Sequence, residues 1–121
     1  MKESPIFTRT HDLLLWLIPQ TLKFPREQRF VMARRVQDAA LDLHERLLEA
    51  ALSGGRRQGA LLAEADILLA RLRFHLRLCH ELGLLEMGQY RHVAEMVTEI
   101  GRLLGGWRKS LAQGPAAVGT G

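Results

Sequence analysis

The sequence predicts an all-α protein, an antiparallel up-down-up-down four-helix bundle, and three observations lead there. Apolar residues recur three and four positions apart through most of the chain, the period of one face of an α-helix. No segment alternates apolar and polar residues as a half-buried strand does. Two punctuation marks, Phe24-Pro25 and Ser53-Gly54-Gly55, and a softer junction at Gly83-Leu84-Leu85-Glu86 cut the chain into four pieces. Connections this short force successive helices to run antiparallel.

The first helix is expected from Pro5 to Leu22. Proline suits a first helical turn, and Phe24-Pro25 stops the helix because proline disfavours helical geometry in the residue before it. The helix is apolar all round from Leu13 to Ile18. The second is expected from Arg26 to Leu52, with a core seam of Val36, Ala40, Leu43 and Leu47. The third, Gln58 to Leu82, has a seam of Leu61, Ala65, Leu68, Leu72, Leu76 and Cys79. It also carries a second apolar stripe, Ile67, Ala70, Phe74 and Leu78, on the opposite side. The fourth, Met87 to Leu111, has Val93, Met96, Ile100, Leu103 and Trp107 on its seam. Ala94, Gly101 and Gly105 form a strip of small residues beside Val97 and Leu104. Small residues there would let a neighbouring helix come close, offsetting the ~1 kcal/mol that each glycine costs inside a helix. Gly106 loosens the last turn and Trp107 closes the end of the bundle. Residues 1–111 are thus expected to form the bundle, and the unpatterned stretch 112–121 a disordered C-terminal tail.

A helix that is apolar on two sides is buried on two sides. In a four-helix bundle the second side can meet only another subunit or a different protein, which makes Leu15, Ile67, Phe74 and Leu78 candidate oligomer contacts. Scattered apolar residues are normal on a surface, but four at consistent helical spacing are not scattered.

At 121 residues, with 47% hydrophobic and 25% charged, the chain has the composition of one folded domain rather than a disordered segment. Its longest apolar run, Leu13 to Ile18, is too short to cross a bilayer, and the N-terminus lacks the blocks of a signal peptide. The single cysteine, Cys79, allows no internal disulfide and suits a reducing compartment, so a cytoplasmic location is expected. No Glu-x-x-His pair, zinc-spaced Cys/His set, glycine-rich phosphate loop or nucleophile elbow occurs, and no metal, cofactor or catalytic residue is expected. One enzyme alternative is a nuclease of the HEPN type, which uses an Arg and a His at short spacing on one helix. Arg73 and His80 in "RFHLRLCH" stand at such a spacing, although the residue after the arginine, usually polar in those proteins, is Phe74.

Net charge is +4, and the cations are 14 Arg against 3 Lys. An Arg-rich genome would give this excess, and so would a need to grip phosphate or carboxylate with planar guanidinium groups. Lys23, Arg26, Arg29, Arg34 and Arg35 crowd the entry to helix two, where the helix dipole disfavours each nearby cation by roughly 0.3 to 1 kcal/mol. An outside anion would explain that arrangement. Part of it is structural: Arg34 with Asp38 and Asp42 with Arg46 are pairs four apart, and Arg29 lies close enough to the apolar face to be the buried end of an ion pair. Arg91, Arg102 and Lys109 form a row on the polar face of helix four, with Thr98 between them. Arg73, Arg77 and His80 flank the seam of helix three. Candidate phosphate contacts are therefore Lys23, Arg26, Arg34, Arg35, Arg73, Arg77, Arg91, Arg102 and Lys109; the competing explanation is an ordinary solvated face.

"TLKFPREQRF", "LRFHLRL" and "EIGRLLGGWRK", in this order, resemble the accessory variability determinant (Avd) proteins of diversity-generating retroelements. These are related to four-helix proteins encoded in ribosomal-RNA intervening sequences. The resemblance runs from about Pro5 to Lys109 and is most specific in Lys-Phe-Pro paired with Gly-Gly-Trp. It implies a non-catalytic accessory protein: a homopentameric barrel of four-helix subunits that binds RNA or DNA and associates with the element's reverse transcriptase during error-prone copying of a template RNA. Avd-like proteins also occur apart from such elements, and a stand-alone binding or structural bundle is the alternative.

Overall fold

A computed structural model describes the backbone of residues 4–119 and the side chains up to Gln113. It contains four α-helices, α1 (Pro5–Leu22), α2 (Arg34–Ala51), α3 (Gly55–Glu81) and α4 (Met87–Gly119), and no strand among the described residues. Cross-helix contacts fix the topology. Thr10 meets His44 at 2.8 Å and Gln37 Nε2 donates to Thr21 Oγ1 at 2.7 Å, so α2 descends as α1 rises. Arg46 of α2 reaches Glu64 of α3 at 3.1 Å, and Arg108 of α4 reaches Asp66 of α3, also at 3.1 Å. Phe7 packs on Trp107 and Trp16 on His92, which runs α4 antiparallel to α1. Each helix packs mainly on two neighbours in the order α1, α2, α3, α4 and back to α1, which leaves α1 and α3 on one diagonal.

The core is built from the expected positions. Val36, Ala40, Leu43 and Leu47 of α2 and the six seam residues of α3 are all buried. Each large aliphatic side chain among them contributes roughly 1.5 to 3 kcal/mol by leaving water. α2 and α3 are the most extensively packed pair of helices, and small residues, Ala39, Ala40 and Ala50 on α2 and Ala65 on α3, are buried there. Leu62 and Leu69 are fully buried as well, although periodicity assigned neither. Each sits beside a seam leucine, and a helix flanked by two partners buries a wider arc than one stripe. On α4 the buried line is Val93, Val97, Ile100 and Leu104, with Met96, Leu103 and Trp107 half-buried along its edge. Cys79 is fully buried, and burial pushes its thiol up to about 11.

The connection after α1 differs from the sequence expectation. In place of a regular helix from Arg26, the chain makes a 3-10 turn over Arg26–Gln28 and a π-helical turn over Arg29–Ala33 before α2 begins. Pro25 fixes the entry, and the π turn holds one more residue than an α turn, which resets the phase of the faces that follow. Phe24, Met32 and Ala33 turn inward, while Phe30 and Val31 are left outside. Arg29 is exposed, not the buried end of an ion pair. Arg46 pairs with Glu49 and Glu64 in place of Asp42.

α3 ends as its glycine suggests. Gly83 adopts φ +79, its N–H donates to the His80 carbonyl at 3.0 Å, and the Leu84 N–H donates to Cys79 at 2.8 Å, a Schellman cap. Helical backbone continues in α4 to Gly119, beyond the Leu111 end that the apolar pattern marks. No helix of the described residues is long and apolar enough to cross a membrane.

The glycine strip of α4 needs correction. A Cβ at Gly101 would collide with the guanidinium of Arg73, whereas Gly105 and Gly106 have open space around them. Only Gly101 is a place of close approach. What it admits is chiefly an arginine head, with Leu69 behind it at 3.4 Å, rather than the backbone of α3.

Candidate nucleic-acid interface

The groove between α3 and α4 gathers groups suited to phosphate. It is a cleft of about 350 Å³ lined by Arg73, Phe74, Leu76 and Arg77 from α3 and by Tyr90, Ala94, Val97 and Thr98 from α4. Leu76 and Val97, which belong to the core, give the groove an apolar base, and Ala94 adds little bulk because its side chain ends at Cβ. Two arginines and two hydroxyl-bearing residues line the same cleft. Such a set can bind phosphate oxygens with little regard to base sequence.

Positions along α4 extend this surface. Arg91, Thr98, Arg102 and Lys109 fall on one strip of the helix at its period of 3.6 residues, spanning about 27 Å at 1.5 Å per residue. The ion pairs sort these cations into two groups. Arg102 is gripped by Glu99, with its Nε donating at 2.9 Å and its Nη2 at 2.7 Å, and this bond holds the Glu99 carboxyl below the usual carboxylate range. Arg34 lies 3.7 Å from Asp38, as expected, and Arg77 lies 3.2 Å from Glu81. Lys23, Arg26, Arg35, Arg73, Arg91 and Lys109 have no carboxylate within 4.0 Å among the described residues. Charges without an internal partner are the ones that cost least to hand to a ligand.

The nine candidates do not converge on one spot. Arg73 and Arg77 share the α3–α4 cleft, with Arg91, Arg102 and Lys109 on the neighbouring strip of α4, and Lys23, Arg26 and Arg34 sit around the corner between α1 and α2. Arg35 lies elsewhere, in a cleft between α2 and α3 with Arg71, His75, Asp38 and Asp42. Burial, then Arg35 and then Arg71 hold the His75 imidazole below its ordinary value of 6.5. A histidine whose folded pKa is depressed contributes stability that is complete above the unfolded pKa and is lost as pH falls below it. Thermal melts from above pH 6.5 to about pH 5 are accordingly expected to show a smaller acid-side loss for His75→Gln than for wild type. Parallel profiles would contradict this.

The oligomer candidates divide as well. Leu15 on α1 is 64% exposed, and Ile67 and Phe74 on α3 are 55% and 60% exposed. Leu78 is half-buried against the core, so it supports that face more than it displays itself. Ile67 and Phe74 leave apolar side chains on the outer side of α3, and Phe74 stands beside the cations of the α3–α4 cleft.

His80 has a structural task. Its Nδ1–H donates to the Leu85 carbonyl at 2.9 Å and its ring stacks on Tyr90 with centroids 4.8 Å apart, which ties the α3–α4 loop shut. Arg73, its partner in the nuclease alternative, is seated over Gly101 in a cleft whose lining does not include His80. Among the described residues no three His, Cys, Asp or Glu side chains come together as metal ligands would.

Fold and surface together define a class: a small cationic helical bundle that carries its arginines and its spare apolar faces on the outside. Residues 6–111 match the family model for bAvd-like proteins, nearly the whole chain, and the chain belongs to that family of Avd-type accessory proteins. No curated protein matches it.

Proposed function

We propose that the protein is the non-catalytic accessory subunit of a diversity-generating retroelement, which binds template RNA and the element's reverse transcriptase and so supports mutagenic copying. The family match over residues 6–111 carries this reading. Phosphates are contacted through Lys23, Arg26, Arg34, Arg35, Arg73, Arg77, Arg91, Arg102 and Lys109, with Arg73 and Arg77 at the centre because they share a cleft.

The placement of the apolar faces supports self-association. Leu15 lies on α1 and Ile67 and Phe74 lie on α3, helices on one diagonal of the bundle. Two different patches on opposite sides of a subunit are served by a head-to-tail contact, whose repetition makes a ring when its rotation closes. The family resemblance sets the number at five, and a pentameric barrel would repeat each phosphate contact around its axis, so weak single sites add through avidity.

Co-expression with a reverse transcriptase encoded beside the gene, followed by purification under native conditions, is the test. A stable complex that retains the element's template RNA is expected. A protein that purifies with neither enzyme nor RNA would instead be a stand-alone bundle of the intervening-sequence type.

A further inference from the structure

We propose that Phe30, carried outward by the π-helical turn between α1 and α2, is a stacking platform for an unpaired base, so that the protein prefers single-stranded to duplex nucleic acid. This rests on the reading that the chain binds nucleic acid.

Phe30 is 82% exposed, the most open of the large hydrophobic side chains described. Phe24, six residues earlier in the same connection, is buried. The difference comes from the π turn, which gives the inner positions to Met32 and Ala33 and leaves Phe30 with Val31 in solvent. Leu22, at the end of α1, is exposed as well.

The charge around the ring indicates the occupant. Lys23, Arg26 and Arg29 lie within the same short connection, all are exposed, and none has a carboxylate within 4.0 Å among the described residues. Between Leu22 and Arg35 the only acid is Glu27. An apolar ring among unpaired cations matches the two parts of a nucleotide, a flat base and an anionic phosphate. Single-strand binders combine these elements, a cationic track for the backbone and aromatic faces for bases. In a duplex the base faces are occupied by their neighbours, and only the phosphates remain to be bound.

The experiment measures binding of the full-length protein to a labelled oligouridine and to a blunt RNA duplex of equal length, over a series of salt concentrations. Phe30→Ala is expected to weaken oligouridine binding by roughly 5- to 150-fold per stacked base. Duplex affinity and salt slope should stay as in wild type, because no cation is removed. Phe30→Trp should retain the affinity and show indole quenching beyond that of wild type when oligouridine is added. Equal losses on both RNAs, or no loss from Phe30→Ala, would overturn the stacking role. So would a lower mass of Phe30→Ala in light scattering with its circular dichroism intact, since the ring would then be a subunit contact. If wild type binds neither RNA, the nucleic-acid reading fails first; if it binds both and ignores the substitution, only the stacking inference fails.

Discussion

Phe74→Glu is expected to convert a multi-subunit particle into free subunits with an unchanged helical circular-dichroism signal. Wild-type protein in light scattering should weigh several times the 13.7 kDa of one chain. The fold survives the substitution because the ring of Phe74 is largely outside the core. The assembly does not, because an unpaired carboxylate in an apolar contact must be desolvated without compensation. A hot-spot residue near the centre of an interface costs about 2 to 4 kcal/mol when lost, and a closed ring suffers that loss at every joint. Ile67→Asp, about two turns away on the same face, should act in the same direction. A wild-type monomer at micromolar concentration, or a Phe74→Glu variant of unaltered mass, would remove α3 from the interface.

Charge reversal at Arg73 and Arg77 carries the second large effect. Each phosphate contact contributes about 0.7 to 0.9 to the slope of log affinity against log salt, so Arg73→Glu/Arg77→Glu should flatten the slope by nearly two contacts per bound subunit. Affinity at low salt should fall in parallel. The single variants should rank Arg73 first, Arg77 next and Arg102 last. Arg73 has no carboxylate partner, Arg77 has one exposed partner at 3.2 Å, and Arg102 is already held by two N–H···O bonds from Glu99. An Arg102→Glu variant as damaging as Arg73→Glu would mean that the Glu99 pair opens at no cost when nucleic acid arrives. Binding that ignores salt would assign the cationic cleft to an acidic protein surface instead.

Helix number, order and most of the seam were legible in the sequence because a 3.6-residue period and proline or glycine stops are local properties. Val36, Ala40, Leu43 and Leu47 fall on the core for that reason alone. The π turn at Arg29–Ala33 was not legible. One extra residue in a turn leaves no mark in a run such as "RFVMA", where every phase offers an apolar side chain. Phe30 was missed as a result, since regular helix would have continued through it. Gly101 illustrates a different limit: its spacing showed that something approaches α4, but whether that is a helix backbone or the tip of Arg73 depends on a side-chain path across two helices. The ion pairs that separate Arg102 from Arg73 are likewise a matter of rotamer and partner. Residue type and spacing made both arginines candidate phosphate contacts, and only geometry ranks them.

Cys79 gives the bundle an internal clock. It is the only thiol in the chain, it is fully buried on α3, and burial raises it to about 11. A thiol reagent therefore meets neither an accessible sulfur nor an appreciable fraction of thiolate while the fold is closed. Labelling must wait for α3 to part from its neighbours, and when reclosing is fast the rate becomes the intrinsic thiol rate scaled by the population of the open form. Mass spectrometry of a single added label, followed in the free protein and after addition of RNA or reverse transcriptase, would thus read the opening free energy of each state without an engineered probe.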